Sequence, residues 1–385
     1  MLEEALAPST LFDQGIQLRG CIVEATYAAA DPPILRRLAD GSVPSLVEPQ
    51  TLRFTGGAFL DTQTFSDLPY CPEARITAQN VEEVDASAFS REVLEFEQAK
   101  GCAAFISPAW PLYDRDSESW ISANQRLLHA TCEANGNGDI EARPLLAQVA
   151  PGRGATDDPD ALIEGLMDLP VDGVYVQPLV LNSMKDSVEK LLRYVRLLES
   201  FEEAGLPVVA SRVGAFGVVL TALGISAFDS GLGIAEASNL ASLNRKKTES
   251  ERSKKGPKGS RRIYLSPLRM TLPVRQAELI LNNPGLAGRF GCDLGCCRFQ
   301  GLDELPERAR QHFLWTRSEE VRTIRELETR SMKLDLIHEE LRTARETGRL
   351  VRRTLISSLP ELPSFAHTDR WIRVLGREAE ARAVA

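Results

Sequence analysis

Long apolar runs are missing from this chain. The longest nearly apolar stretch, residues 216–228 (FGVVLTALGISAF), covers 13 residues, short of the roughly 18 or more in a membrane span. No membrane partner is therefore expected. The opening residues, MLEEALAPST, are acidic and hold no apolar core, so no secretory leader is expected and the chain reads as cytoplasmic. Several signature loops are also missing. There is no Walker-type or dinucleotide glycine loop, no Gly-x-Ser-x-Gly elbow and no His-Glu-x-x-His, which removes several common enzyme classes. Histidine is scarce, at four residues. His129 falls in a helical stretch and reads as a satisfied structural residue, His338 and His367 read as exposed, and His312 follows a group of cysteines.

What is present is the composition of an ordinary globular protein, 43% hydrophobic and 26% charged. The 385 residues suffice for one large barrel with an appendage, or for two domains. The net charge of −9 argues against a general nucleic-acid coat, but it is unevenly spread. Residues 244–262 carry nine Lys/Arg against two Glu, a net of +7, which leaves −16 for the remainder. A basic loop on an acidic body suits local phosphate contact, with Arg245, Lys246, Lys247, Arg261 and Arg262 as candidates; it also suits a solvated loop with no ligand.

Short apolar runs bounded by Gly and Pro alternate with helical patterns. Strands are expected at 21–27, 51–60, 102–107, 145–150, 173–177, 208–211, 225–228 and 262–266. Helices are expected between them, the clearest carrying Val188, Leu191, Leu192, Val195 and Leu198 on one face behind a capping box of Ser183 and Asp186. Residues 61–83 read as a surface loop. About eight β segments with intervening helices point to an α/β fold, a (β/α)8 TIM barrel over residues 1–270, with a doubly wound sheet as the alternative. A knot and helices (271–350) and a loosely packed tail (351–385) follow.

Two constellations carry chemistry. Cys292, Cys296 and Cys297 crowd into FGCDLGCC, and His312 starts the long helix after them. With no export signal expected, three thiolates and an imidazole form a closed structural zinc set, unless the cysteines are merely buried. The other is the stretch 206–233, in which the strand GISAF ends on Asp229. In parallel sheets, loops at the carboxyl ends of strands build the site. Asp229 there is either a helix cap or a nucleophile able to attack the anomeric carbon of a sugar.

Together these residues resemble the tRNA-guanine transglycosylase family over roughly residues 51–350. GISAFDSGLG resembles the family's nucleophile segment and places it at Asp229. FGCDLGCC and QHFLWTRSEEVRTI resemble the zinc segment, implying Cys292, Cys296, Cys297 and His312 as ligands. TLRFTGGAF resembles the Asp-Ser-Gly-Gly-Phe strand, placing Gly56 and Gly57. LLAQVAPG places the base-meeting Gln148, GVYVQPL puts Gln177 at the base-binding loop, and Ser107 and Gly214 border the same pocket. The resemblance implies a zinc-bearing (β/α)8 barrel acting on tRNA or DNA as a homodimer or heterodimer. Its chemistry exchanges a purine for a 7-deazaguanine through a covalent sugar–Asp intermediate. Two acids depart from the pattern: Phe54 stands for one, and the other falls near Ile106 and Ser107. Asp61 or Asp114 would have to substitute, the substrate base would have to differ, or the barrel would be a non-catalytic nucleic-acid-binding or partner subunit.

Overall fold

The computed structural model describes residues 19–40, 43–56, 60, 62–231, 237–240, 262–292, 294, 297, 305–355 and 363–384. Its centre is a parallel sheet fed by helical crossovers. The first pair is β1 (Cys21–Glu24) beside β2 (Ser45–Glu48), with helix α1 (Pro33–Asp40) between them in sequence. Helix α2 (Ala86–Ala99) follows and is capped by Asp85, whose carboxylate accepts from the backbone N–H groups of Ser87 and Ala88.

Five further strands pair in sequence order, all parallel. They are β3 (Phe105–Ile106), β4 (Leu145–Val149), β5 (Gly173–Val176), β6 (Val208–Ala210) and β7 (Ala227–Phe228). Between them run α3 (Ser117–Gly136), α4 (Asp160–Met167), α5 (Val188–Glu203) and α6 (Phe216–Leu223). Every residue of β5 and of α6 is buried, which is why both read as unbroken apolar runs rather than as amphipathic ones.

The seam between β2 and β3 is not a full ladder. One backbone bond crosses it, from Ala103 N–H to the Ser45 carbonyl (2.8 Å). The side chain of Glu97, on α2, accepts from the Ile106 N–H (3.1 Å). With this seam counted, the strands lie in the order β1 to β7, and a flat sheet would hold β1 and β6 roughly 24 Å apart. Yet Arg212, just past β6, reaches Glu24 at the end of β1 at 2.6 Å. The strands therefore curl toward each other at their carboxyl ends. Among the described residues no ladder joins β7 back to β1.

Several expectations are corrected. The expected strand at 51–60 is not formed over its described residues 51–56. Thr51–Thr55 is a 3-10 turn entered through left-handed Gln50 (φ 61°), and the strand lies earlier, at Ser45–Glu48 between Pro44 and Pro49. Residues 61–83 are not a surface loop throughout, since Phe65, Leu68, Tyr70, Ile76 and Val81 are buried. Ser187, not the expected Ser183, caps α5 by accepting from the Lys190 N–H. Residues 262–266 do not extend the parallel sheet. They form β8 (Arg262–Leu265), antiparallel to β9 (Met270–Pro273).

This hairpin and the helix α7 (Val274–Leu281) share a second core with Leu286, Phe290, Cys297, Val351 and Leu355. The long helical stretch splits into α8 (Ala309–Arg325) and α9 (Arg330–Leu355), with the Thr329 hydroxyl accepting from the Met332 N–H where α9 begins. The expected loose tail is instead a packed helix, α10 (Ala366–Val384), with His367, Trp371 and Val374 wholly buried. Of the other histidines, His129 is exposed rather than structural. Among the described residues no helix is long and apolar enough to cross a membrane.

Candidate functional site

Asp229 directly follows β7, and its backbone N–H continues the ladder to the Ala210 carbonyl (2.9 Å). That bond fixes which way the side chain leaves the strand. The carboxylate turns back over the sheet and accepts three bonds from the ends of β5 and β6. Arg212 N–H donates to Oδ1 (2.8 Å), while the hydroxyls of Tyr175 (2.8 Å) and Ser211 (2.7 Å) reach Oδ2. The two hydroxyls are also 2.7 Å apart. Two hydroxyl protons serve these three contacts, so the arrangement tolerates a shift of one proton without moving a heavy atom. Oδ1 accepts a single bond from the described residues, leaving it a lone pair for another atom.

Two features make this position possible. Gly217, in the first turn of α6, lies against Phe228; a Cβ there would sit 2.1 Å from the ring. Arg212 holds a left-handed backbone (φ 56°), a strained state for a residue of its size and one that clusters at functional sites. Burial and then the nearby Asp229 charge push the Tyr175 phenol well above its ordinary pKa, so it stays a neutral donor.

Sequence reasoning missed two further acids at this rim. β1 reads CIVE and β2 reads SLVE, so each strand ends on a glutamate at the same rim as Asp229. Glu24 receives Arg53 (2.9 Å) and Arg212 (2.6 Å). Burial opposes its charge, but the two guanidiniums outweigh that and hold its carboxyl below the usual range. Glu48 goes the other way. Burial raises its pKa, and the pull of Arg212 and Arg53 does not cancel this. Its Oε1 accepts from the Gln50 N–H (3.0 Å) and, more weakly, from the Gln148 amide (3.4 Å). The repeated strand ending, an apolar pair (Ile-Val or Leu-Val) closed by Glu, was the available signal.

The other predicted residues divide. Ser107 and Gln148 do meet: the Gln148 N–H donates to the Ser107 hydroxyl (2.9 Å). Gln148 and Gln177 are buried at the ends of β4 and β5, and the side-chain oxygen of each lacks a partner, as does the hydroxyl of Ser230. Buried polar atoms of native proteins are normally paired, so these three leave hydrogen-bonding capacity at one rim for a ligand or water. Gly214 (φ 61°) makes the turn between β6 and α6. Gly56 ends the 3-10 turn, not a strand, and Gly57 lies outside the described residues.

Phe54 is deep in an aromatic cluster with Phe65, Tyr70 and Phe89. An acid in its place would be buried among these rings. Asp114 is exposed and accepts from the Gly154 N–H (2.7 Å), so it does not substitute either; Asp61 lies outside the described residues. An apolar cavity of about 50 Å³ between β4, α3 and α4 touches Ser107 and Gln148. It excludes Asp229 and both rim glutamates, and its walls offer little chemistry, so the rim is the better site.

A second cluster gathers Cys292, Cys297 and His312, with one potential ligand atom from each lying within 4.8 Å of the others. Cys297 Sγ is 3.4 Å from His312 Nδ1, and His312 Nε2 meets the Tyr264 carbonyl at 3.0 Å. A carbonyl can only accept, so Nε2 carries a proton, and Nδ1 faces the sulfurs. That is the outer-shell arrangement of a metal-binding histidine. Burial lowers the affinity of this imidazole for a proton, but hydrogen bonds and charge from Cys292 and Cys297 outweigh it and raise the pKa to about 9, so without a metal Nδ1 also holds a proton, which a bound ion would displace. The donor set of two sulfurs and one nitrogen fits zinc. Cys296 lies outside the described residues, as do Arg245, Lys246, Lys247 and Arg261. Arg262 is half-buried and donates to the Thr271 carbonyl across its own hairpin (2.7 Å), rather than standing free for a phosphate.

No family model matches this chain. A search of curated proteins also returned no match. The functional reading therefore stands on the geometry of the rim and of the thiol cluster.

Proposed function

We propose that the chain is a base-exchanging glycosyltransferase of the tRNA-guanine transglycosylase type, with Asp229 as its nucleophile. The observation that carries this reading is the setting of Asp229. The carboxylate is fixed by Tyr175, Ser211 and the Arg212 N–H at a strand terminus, with a lone pair of Oδ1 left over. On this reading the curled parallel strands are an eight-stranded barrel in origin, and the orphaned amide oxygens of Gln148 and Gln177 accept from donors on a purine-like ring.

In the first step an Asp229 oxygen bonds to C1′ of the sugar as the bond from C1′ to the base nitrogen breaks, its electron pair leaving with the base. In the second step an incoming base attacks C1′ and frees Asp229. Splitting one displacement into two retains the configuration at C1′. Cys292, Cys297 and His312 would hold a structural zinc, which supplies folding energy to the hairpin and helix it joins rather than a reactive centre.

The test is incubation with tRNA and with DNA, each with radiolabelled guanine or a 7-deazaguanine. Label should enter the nucleic acid, and a covalent adduct should survive denaturation for the wild type but not for Asp229→Asn. Nucleic acid that binds with neither exchange nor adduct overturns the reading.

A further inference from the structure

Within the proposed base exchange, we infer that Glu48 is the acid that protonates the departing base and, as carboxylate, takes the proton back from the incoming one. The inference rests on that reading and adds a residue and a role that no motif supplied.

Four observations carry it. Glu48 ends β2 at the same rim as Asp229, and the two are joined through shared neighbours. Arg212 gives its backbone N–H to Asp229 while its guanidinium attracts Glu48, and Tyr175 bonds Asp229 while also feeling the Glu48 charge. Its two oxygens are not equivalent. Oε1 accepts from the Gln50 N–H and the Gln148 amide, and Oε2 makes no bond to any described residue. A proton on this carboxyl therefore sits on Oε2, free to be given away. The backbone beside it is held under strain, since Gln50 is left-handed (φ 61°), as Arg212 is beside Asp229. Lastly, Glu24 and Glu48 are driven in opposite directions. Two guanidiniums keep the first ionised, and burial favours the protonated form of the second. Neighbouring acids separated in this way commonly divide acid and anchoring roles between them. Glu24 then serves as the anchor that positions Arg212.

The groups facing Glu48 are Arg53 and Arg212, which favour its ionised form, and Glu24, which opposes it. Glu97 and Tyr70 also feel its charge. When the base leaves, the electron pair of the broken C1′–N bond resides on the base, and the Oε2 proton moves to a nitrogen or oxygen of that ring. Glu48 becomes a carboxylate, and the neutral incoming base returns a proton to it as its nitrogen attacks C1′. No oxidant, reductant or further reactant is consumed.

The test compares adduct formation by wild type and Glu48→Gln on two RNAs. One carries ordinary guanine; the other carries 7-methylguanine, which leaves as a neutral molecule and needs no added proton. The variant should slow the first by about 10²- to 10⁴-fold, as loss of a general acid does, and slow the second by less than about tenfold. Matching circular dichroism and thermal midpoint establish that the variant is folded. Equal slowing on both RNAs makes Glu48 structural only and overturns the assignment, as does no slowing on either. If wild type forms no adduct with either RNA, or with the corresponding DNA, base exchange itself fails and the role falls with it. If wild type reacts and the leaving group makes no difference, only the assignment of Glu48 fails.

Discussion

His367 is wholly buried on α10, with its ring against Trp371 (4.9 Å). Nε2 meets the Leu268 carbonyl at 3.1 Å, and Nδ1 has no partner. Burial pushes its pKa down to about 4, and the backbone carbonyl only partly opposes that. A folded-state pKa below the unfolded value of about 6.5 means the unfolded chain binds the proton more readily. The stability from this residue is thus full above about pH 6.5 and drains away as pH falls toward 4, by on the order of 3 kcal/mol. Thermal midpoints measured from pH 7 to pH 4.5 should fall less steeply for His367→Phe than for wild type; parallel declines would place the acid sensitivity elsewhere. At this scale the sequence exposed identity but not environment. Asp229 was legible because a small-residue strand ends on it. His129 and His367 changed places, one exposed and one buried, because charge density nearby in sequence does not reveal which helix face meets the core.

Helices were legible wherever a 3.6-residue period ran long, as in α5. Short segments were not. TLRFT has the β-branched and aromatic content of a strand. After Pro49 and left-handed Gln50, however, it bends into a 3-10 turn that buries Phe54 among rings. The final helix was misjudged for a related reason, since its apolar residues are thinly spread among many charges. Trp371 nonetheless anchors it. Its indole N–H donates to the Ser183 carbonyl (2.9 Å), and its ring lies 5.5 Å from that of Phe216, which opens α6 on the way to Asp229. Trp371→Ala should cost about 3–5 kcal/mol in urea unfolding, as emptying a buried aromatic site does. A change within ±0.5 kcal/mol would show that α10 is not needed for the packing around α6.

Tyr264 is one of the links between the two cores of the molecule. The Tyr264 carbonyl meets His312 of the thiol cluster, while its hydroxyl donates to Glu320 (3.0 Å). Glu320 in turn pairs with Arg269 (2.5 Å) and Arg317 (2.9 Å). Metal at Cys292, Cys297 and His312 would therefore brace β8 against α8. Elemental analysis should find about one zinc per chain, lost in Cys297→Ala. Stripping it with a chelator should lower the thermal midpoint and speed hydrogen exchange of the amides of Ile263 and Leu265, with little change in β4 and β5. A protein without zinc, or one whose exchange is unchanged after stripping, would make the cluster an ordinary buried group.

The sequence by itself determined the alternation of strand and helix, the burial of β5 and α6, and the thiols and imidazole that draw together. Each of these follows from local period or from residue chemistry, which a linear string carries in full. Only the tertiary structure decided which acids share the rim with Asp229. Glu24 and Glu48 lie some 180 or more residues away in the chain, and nothing local marks them as its neighbours. They join its rim because the strands curl until Arg212 can span from β6 to β1, and guanidiniums at Glu24 and burial at Glu48 then drive the two carboxyls in opposite directions.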